Sequence, residues 1–290
     1  MTTLERSKPA RDPSTAEARS PGAGTVGAAC CAALYGDPLI ELLVGDSLHP
    51  GGLTTTRRLL SAARLAPGSR LLDAGCGLGA SARLADRDFG LRLDACDVST
   101  DAIARAERLS EIEGARVRYR QASLLELPYR DGAFDAVLVE CVLSTTDKEK
   151  AIAEARRVLA PGGVLLLSDV TTRDGAAALP EPLATLLCLS QAWRPGELER
   201  LLPAAGIPLE QRWDETAALP AFLDRLEARS RLLRSMARDD ELGVHIRRLA
   251  ERLSAIIPDG ERRLPDLLED IRRKIDQGEI GYVAVVARAG

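Results

Sequence analysis

The sequence predicts an α/β protein whose parallel sheet is doubly wound, with helices on both faces. Short apolar segments that end near acidic residues alternate with amphipathic segments of helical spacing, which is the pattern of successive strand–helix units. A glycine-rich turn joins the first strand of this series to its helix, as in sheets that bind ligands beyond their carboxyl ends. A last apolar segment near Gly281–Arg288 follows a long helical insert and predicts one more strand.

The first strand–helix unit is the segment LLDAGCGLG at Leu71–Gly79, and its helix is predicted to begin at Ala80. The turn contains three alternating glycines: Gly75, Gly77 and Gly79. Glycine allows positive φ angles and close approach of the backbone to a ligand. Such a turn often binds pyrophosphate, but here the spacing is GxGxG and the Asp73 carboxylate would repel pyrophosphate. We therefore predict a cationic ligand, and an NAD-dependent enzyme is disfavoured.

Polar side chains also follow the later strands. These strands are predicted at 91–97, 116–120, 134–139, 164–167 and about 207–213. Asp97 ends the second strand, where an acidic residue commonly accepts hydrogen bonds from ribose hydroxyls. Ser123 and Glu140 follow the third and fourth strands. Because the carboxyl ends of parallel strands meet at one edge of a sheet, Asp73, Asp97, Ser123 and Glu140 are expected to line one crevice.

In this order, the segments resemble the motifs of the class I S-adenosylmethionine-dependent methyltransferases. The glycine turn is similar to their motif I, which wraps the methionine and ribose parts of the cofactor, and Glu154–Leu167 is similar to their helix, turn and fifth strand. The resemblance implies a Rossmann-like sheet with an antiparallel last strand, S-adenosylmethionine as cofactor and methyltransferase activity. It also implies the following cofactor-binding residues: Asp73, Gly75, Gly77, Gly79, Asp97, Ser123 and Glu140. Ser123 stands where the family usually has the aspartate that holds the adenine amine.

Two of the six cysteines lie in segments that resemble the arsenite methyltransferases. Cys141 begins a Cys-Val pair that precedes Asp147-Lys148, and Cys188 is followed by Ala192-Trp193. In that family the corresponding cysteines bind trivalent arsenic, and soft thiolates suit a soft centre. The resemblance implies Cys141 and Cys188 as catalytic, metalloid-binding residues. A third thiolate would come from Cys31 or its neighbour Cys30, or from a small thiol such as glutathione. An adjacent cysteine pair is, however, more often incidental.

The methyl acceptor is left open by the sequence. The chain has two histidines, and we interpret His245 as a surface residue. His49 precedes the first helix in a segment with Pro-Gly-Gly, which favours a turn-forming role, and a place at the border of the pocket is the alternative. This scarcity of general bases favours an acceptor that is already nucleophilic, such as a thiol-bound metalloid. An organic O-, N- or C-acceptor is the alternative. A non-catalytic module that binds S-adenosylmethionine or a thiophilic ion is a further alternative.

Four regions are predicted along the chain: a disordered tail at 1–28, the cofactor-binding core at 29–213, a helical insert at 214–278 and the last strand of the core at 279–290. Apolar residues at three-to-four spacing predict insert helices at 220–237, 241–256 and 264–276, interrupted by Pro258-Asp259-Gly260. We interpret the insert as a packing or dimerisation element, with a substrate lid as the alternative.

Composition sets limits on the partners. With 290 residues, 46% of them hydrophobic, the chain can bury a sizeable core. The formal net charge of −4 comes from interspersed charges, which gives no basic stripe for nucleic acid. No apolar run reaches the roughly 18 to 20 residues that span a membrane. The sequence therefore predicts a cytoplasmic protein with reduced thiols that acts on a small molecule or a metalloid.

Overall fold

The structure is a computed structural model that describes residues 45, 47, 49–173, 184, 187–236, 243–244, 247–248 and 264–290. Several predicted features lie outside these residues: the tail at 1–28, Cys30, Cys31, His245, most of the helix 241–256 and the turn at 258–260. Within the described part of the chain, no helix has both the length and the apolar character needed to cross a membrane.

One mixed sheet organises the described residues. Its strands are β1 (Arg70–Ala74), β2 (Arg92–Asp97), β3 (Val117–Gln121), β4 (Phe134–Glu140), β5 (Leu159–Thr172), β6 (Leu209–Asp214) and β7 (Ile280–Arg288). Their order across the sheet is β3-β2-β1-β4-β5-β7-β6. β7 pairs antiparallel with both β5 and β6, whereas the neighbouring pairs from β3 to β5 are parallel. The predicted α/β class, the doubly wound sheet and the antiparallel last strand are confirmed.

Helices connect the strands and cover both faces. They are α1 (Gly52–Ala63), α2 (Ala80–Phe89), α3 (Thr100–Glu113), α4 (Lys148–Val158), α5 (Glu197–Ala204), α6 (Ala218–Met236) and α7 (Leu264–Asp276). Local capping fixes several ends. The Ser99 side chain accepts a 3.2 Å hydrogen bond from the Ala102 N–H at the start of α3, and Gly114 ends that helix with φ +70°. The Asp147 side chain begins α4 in the same way.

The core is divided by the sheet into two apolar layers. Side chains alternate along each strand, so that Leu72 and Leu165 lie in one layer while Leu71 and Leu166 lie in the other. All four side chains are buried, because helices pack against both faces. This arrangement leaves the carboxyl ends of β1, β2 and β4 as the edge where polar side chains are concentrated.

β5 is longer than the predicted strand 164–167. The predicted strand ends at Leu167, whereas β5 continues to Thr172 and the polar residues Ser168 and Asp169 in it are fully buried. Pairing with β7 extends through Thr172, and hydrogen bonds to these polar side chains make their burial possible.

Helices α6 and α7 of the insert pack together over the end of β7. The Arg272 guanidinium on α7 donates 2.8 Å and 2.9 Å hydrogen bonds to Asp224 and Glu227 on α6. Leu223 and Leu268 from the two helices join an apolar cluster that also contains Val170, Cys188 and Tyr282. We call this cluster, which lies between the insert and the carboxyl end of β5, the roof cluster.

Candidate active site

The glycine turn is bound to the end of β2 by backbone hydrogen bonds. The N–H groups of Gly75 and Cys76 donate to the Cys96 carbonyl at 2.7 Å and 3.0 Å. Gly77 N–H donates to Asp97 Oδ2 at 3.0 Å, and Ser99 N–H donates to Asp97 Oδ1 at 2.9 Å. Each carboxylate oxygen therefore accepts one of these hydrogen bonds, and the Val98 backbone is a further donor to this carboxylate. The structure brings Asp97 and the turn together, as the sequence predicted.

Two of the turn glycines are required by their neighbours as well as by their backbone angles. Gly75 and Gly79 have φ angles of +83° and +74°. A Cβ atom at Gly75 would lie 2.3 Å from Val142 Cγ2, and one at Gly79 would lie 2.2 Å from the Tyr119 hydroxyl. Val142 follows the end of β4, so the turn supports the segment on the opposite side of the crevice.

Asp73 is the most deeply buried acid of this edge that lacks a full set of partners. Its side chain is 3% exposed, and Oδ2 has no hydrogen-bond partner among the described residues. Burial raises the pKa of Asp73 well above its ordinary value, and the negative charges of Glu140 and Asp97 raise it further. Burial also raises the pKa of Asp97. This accumulation of carboxylates attracts a cation and disfavours a phosphate.

Glu140 is held by hydroxyl groups from three elements. Ser81 Oγ on α2 donates at 2.6 Å, Thr56 Oγ1 on α1 lies 3.1 Å from both carboxylate oxygens, and Ser168 Oγ on β5 donates to Oε1 at 3.3 Å. His49 Nε2 lies 3.4 Å from Oε2. The predicted cofactor residue Glu140 thus reaches the crevice, but its carboxylate is committed to protein donors.

Ser123 has a local role in the structure. Its hydroxyl oxygen accepts a 3.1 Å hydrogen bond from the Leu125 N–H, and its carbonyl accepts one from the Glu126 N–H at 3.1 Å. Ala122 N–H donates to the Asp97 carbonyl at 3.0 Å, which keeps the turn next to β2. Ser123 is therefore near the crevice, with one lone pair of its hydroxyl occupied by its own turn.

Cys141 and Cys188 come together although they are far apart in sequence. Cys188 Sγ lies 3.7 Å from the Cys141 carbonyl, and Cys141 Sγ lies 3.9 Å from the Tyr282 hydroxyl. Both cysteines have left-handed backbones, with φ of +55° and +59°, which is unusual for residues with a side chain. The side-chain hydrogen bond with Cys188, followed by burial, raises the pKa of Cys141 well above its ordinary value. Cys141 is therefore a thiol rather than a thiolate at neutral pH.

Asp169 positions the loops that carry both thiols. It accepts hydrogen bonds from Ser144 Oγ at 2.5 Å, from Ser144 N–H at 2.9 Å and from Trp193 Nε1 at 3.3 Å. Ser144 belongs to a 3-10 turn just after Cys141, and Trp193 follows Cys188. Burial raises the pKa of Asp169 to about 6 despite these donors.

Among the described residues, no three Cys, His, Asp or Glu side chains are arranged to hold a metal ion. The pair of Cys141 and Cys188 would need a third ligand from elsewhere, and the predicted candidate Cys31 lies outside the described residues. Of the predicted metalloid site, the described residues bring together the two thiols of Cys141 and Cys188.

His49 is buried beside this pair, with 6% of its surface exposed. Nδ1 lies 3.3 Å from the Tyr282 hydroxyl, which donates at 2.8 Å to Ser168 Oγ. Nε2 has no aligned hydrogen bond, in spite of its 3.4 Å distance to Glu140. A 3.4 Å contact between Nε2 and a carboxylate oxygen that lacks hydrogen-bond alignment is at best a weak hydrogen bond.

Comparison with known proteins decides the family. Residues 72–167 match the family model described as a methyltransferase domain. Over 192 residues the chain is 30% identical to the methyltransferase GfsG of Streptomyces halstedii, which covers 61% of this chain and 69% of that protein. This chain belongs to the class I S-adenosylmethionine-dependent methyltransferases. The predicted cofactor and enzyme class are confirmed.

Two further similarities describe the range of this methyltransferase's relatives. It is 32% identical over 158 residues to norajmaline N-methyltransferase of Rauvolfia serpentina, covering 46% of this chain and 54% of the relative. Its fold matches the crystal structure of the [4+2]-cyclase SpnF with a TM-score of 0.62 and 25% identity, over 81% of this chain and 80% of that one. None of these three proteins is named for an arsenic substrate.

The sequence does not predict two side chains of the methyltransferase's site, Tyr282 and Asp169. For His49 it leaves open a turn-forming role and a place at the border of the pocket, because His49 lies directly before the first helix of the core. Its ring is buried against Glu140 and Tyr282. Tyr282 gave no signal, because the partners of its hydroxyl are more than 100 residues away.

Proposed function

We propose that this methyltransferase transfers the methyl group of S-adenosylmethionine to an organic small molecule bound between the glycine turn and the roof cluster. The observation that carries the proposal is the carboxylate cluster beside the turn, formed by the buried Asp73 and the partly buried Asp97 and Glu140. When bound, S-adenosylmethionine supplies an electrophilic methyl group on a sulfonium and two positive charges, of which one belongs to its ammonium group.

The residues present fit this cofactor. Asp73 Oδ2 is buried without a partner, so an ammonium donor would satisfy it. Asp97 has a backbone donor on each oxygen and keeps lone pairs for ribose hydroxyls. Gly75, Gly77 and Gly79 have positive φ angles, and a backbone without side chains suits the close approach of a ligand. Replacing Asp97 by alanine should strongly weaken binding of S-adenosylmethionine.

The surroundings of the methyl-transfer position support an organic acceptor. Besides Cys141, the partly buried side chains that pack against the roof cluster are Leu187 and Phe222. An apolar wall with a few polar groups is typical of sites for small organic ligands. The relative from Rauvolfia is named for N-methylation of norajmaline, which is an acceptor of this general kind. The chain's residues would hold the acceptor's nucleophile in line with the methyl group and exclude water.

A thiol-bound metalloid such as trivalent arsenic is the second candidate acceptor. It is favoured by one observation, the contact between Cys141 and Cys188. The raised pKa of Cys141 weighs against it, because the thiolate is the form that binds a metalloid. A third thiolate would have to come from Cys31 or from glutathione.

The proposal is tested by following S-adenosylhomocysteine formation by the purified, reduced protein. The probes are sarcosine, tryptamine and trimethylhydroquinone in separate reactions, and arsenite with glutathione in another. Turnover of an organic probe that survives in Cys141→Ser and Cys188→Ser supports an organic acceptor. Turnover that requires arsenite, and that is lost in these variants but kept in the control Cys96→Ala, would instead support the metalloid. Tight binding of S-adenosylmethionine with no turnover in any reaction would indicate a non-catalytic binding module.

A further inference from the structure

A directed chain of hydrogen bonds connects His49 to Glu140 through two hydroxyl groups. Glu140 accepts from Ser168 Oγ at 3.3 Å, and Ser168 Oγ accepts from the Tyr282 hydroxyl at 2.8 Å. The Tyr282 oxygen lies 3.3 Å from His49 Nδ1. Each hydroxyl has a single proton. A hydroxyl that donates to one neighbour can therefore only accept a hydrogen bond from its other neighbour.

The direction of this chain determines the tautomer of His49. A carboxylate only accepts, so the proton of Ser168 is directed to Glu140, and the proton of Tyr282 must then be directed to Ser168. The Tyr282 oxygen is left as an acceptor toward His49, which places the imidazole proton on Nδ1. The lone pair is therefore on Nε2, and this buried nitrogen has no aligned hydrogen bond although Glu140 Oε2 is 3.4 Å away.

The position of the ring is also fixed by packing. A Cβ at Gly51, in the turn after His49, would lie 2.0 Å from Thr55 Oγ1 and 3.1 Å from the Tyr282 ring. The Gly52 N–H donates to the His49 carbonyl at 3.1 Å. The turn therefore holds His49 against Tyr282, with Nε2 at the carboxyl end of β4. A buried, oriented imidazole with an unprotonated nitrogen is suited to accept a proton.

We propose that His49 Nε2 is the general base that accepts the proton of the methyl acceptor, an inference that rests on the proposed function with an organic acceptor. A lone pair on the acceptor's nitrogen or oxygen forms the new bond to the methyl carbon, and the electron pair of the N–H or O–H bond that breaks stays on that nitrogen or oxygen. The methyl–sulfur bond pair stays on sulfur, which becomes the neutral thioether of S-adenosylhomocysteine. The proton goes to Nε2, and the imidazolium is stabilised by the Glu140 carboxylate at 3.4 Å. Tyr282 and Ser168 are positioning residues that hold the tautomer.

The first test reads the tautomer directly and does not require turnover. The chain has two histidines, so nitrogen NMR of ¹⁵N-histidine-labelled protein gives two sets of ring signals, and His245→Gln assigns them. We expect the proton of His49 on Nδ1. In Tyr282→Phe the acceptor for Nδ1–H is lost, and the signals should shift toward a mixture of tautomers. A proton on Nε2 in the wild-type protein would overturn the proposal.

The second test measures turnover of whichever of the three organic probes is methylated by the wild-type protein. His49→Gln should lower kcat by about 10²- to 10⁴-fold while affinity for S-adenosylmethionine changes little. His245→Gln is the matched control and should keep wild-type kcat. A kcat within threefold (roughly 0.7 kcal/mol) of wild type in His49→Gln would overturn the base role while the proposed function stands. If only arsenite is methylated, the base role also fails, because that acceptor carries no proton to remove.

Discussion

At the scale of single residues, the site is governed by carboxylates that lack a positive partner. Asp73 lies in the interior with one unsatisfied oxygen, close to Glu140 and Asp97. In the absence of a cation, protonation of Asp73 reduces the negative charge of this cluster. The raised pKa of Asp73 reflects this preference for the neutral form. Binding of a cationic ligand should reverse this shift, because the ligand's charge favours the ionised carboxylate.

The affinity for S-adenosylmethionine should therefore rise with pH. Below the raised pKa of Asp73 the carboxyl is neutral, and above that pKa it is ionised and attracts the cofactor. At pH values near the raised pKa of Asp73, binding should release protons. Isothermal titration calorimetry in buffers of different ionisation enthalpy measures this release. S-adenosylhomocysteine lacks the sulfonium charge and should show a weaker dependence. Asp73→Asn should weaken the pH dependence of the affinity for S-adenosylmethionine. An unchanged pH dependence in that variant would show that another group is responsible.

At the scale of elements, the connection between β1 and α2 depends on glycines that are tightly packed. Gly79 has φ +74° and has no room for a Cβ because of the Tyr119 hydroxyl. Gly162 has a similar φ of +72° but has no neighbouring atom within 4 Å of that position. Substitution of each glycine by alanine therefore separates two losses of folding free energy. One is caused by the backbone angle alone, and the other is caused by the steric contact.

We expect Gly79→Ala to lower the free energy of unfolding by more than Gly162→Ala does. The control should cost about 1 to 2 kcal/mol for the left-handed backbone alone, and the additional loss in Gly79→Ala reflects the contact with Tyr119. In a Tyr119→Phe background this additional loss should shrink, because the hydroxyl is the closest atom. Urea denaturation of the four variants measures these differences, and equal costs at the two glycines would contradict the packing argument.

The carboxyl end of β5 should contribute a pH-dependent term to stability through Asp169. Burial raises its pKa from 3.8 to about 6, so the folded protein binds a proton that the unfolded chain has lost in this range. Stability from this group is therefore lost as pH rises from about 4 to about 6, by about 3 kcal/mol at 1.36 kcal/mol per pKa unit. The difference in unfolding free energy between wild type and Asp169→Asn should fall over this interval and stay constant above it. A difference independent of pH would mean that Asp169 does not titrate there.

At the scale of the whole molecule, the sequence was sufficient for the strand–helix series but not for the contacts that complete the site. The apolar segments and the glycine turn predicted the sheet because each of those signals is local. The polar cluster of His49, Glu140, Ser168 and Tyr282 joins four distant segments, and it depends on β7 lying beside β5. The extension of β5 was missed for the same reason, since its buried polar residues are explained only by partners from other elements.

The insert should stabilise the whole fold through the roof cluster. Leu268 on α7 is 1% exposed, whereas Leu232 on α6 is 59% exposed. Leu268→Ala should lower the free energy of unfolding by about 2 to 5 kcal/mol through lost burial and a cavity, and the control Leu232→Ala should change it by about 0.5 kcal/mol or less. Thermal and urea denaturation measure both. If the two variants lose equal stability, the insert is not packed as a part of the core.

The place of β7 between β5 and β6 has a consequence for biosynthesis. A ribosome delivers residues 280–288 after the six other strands that the structure describes, so the edges of β5 and β6 lack their shared partner until this segment emerges. Tyr282 is made in the same step, and with it the partner of His49. During translation the cofactor side of the crevice, formed by β1, β2 and β4, can fold first, while the proton-accepting side is completed only after β7 has been made.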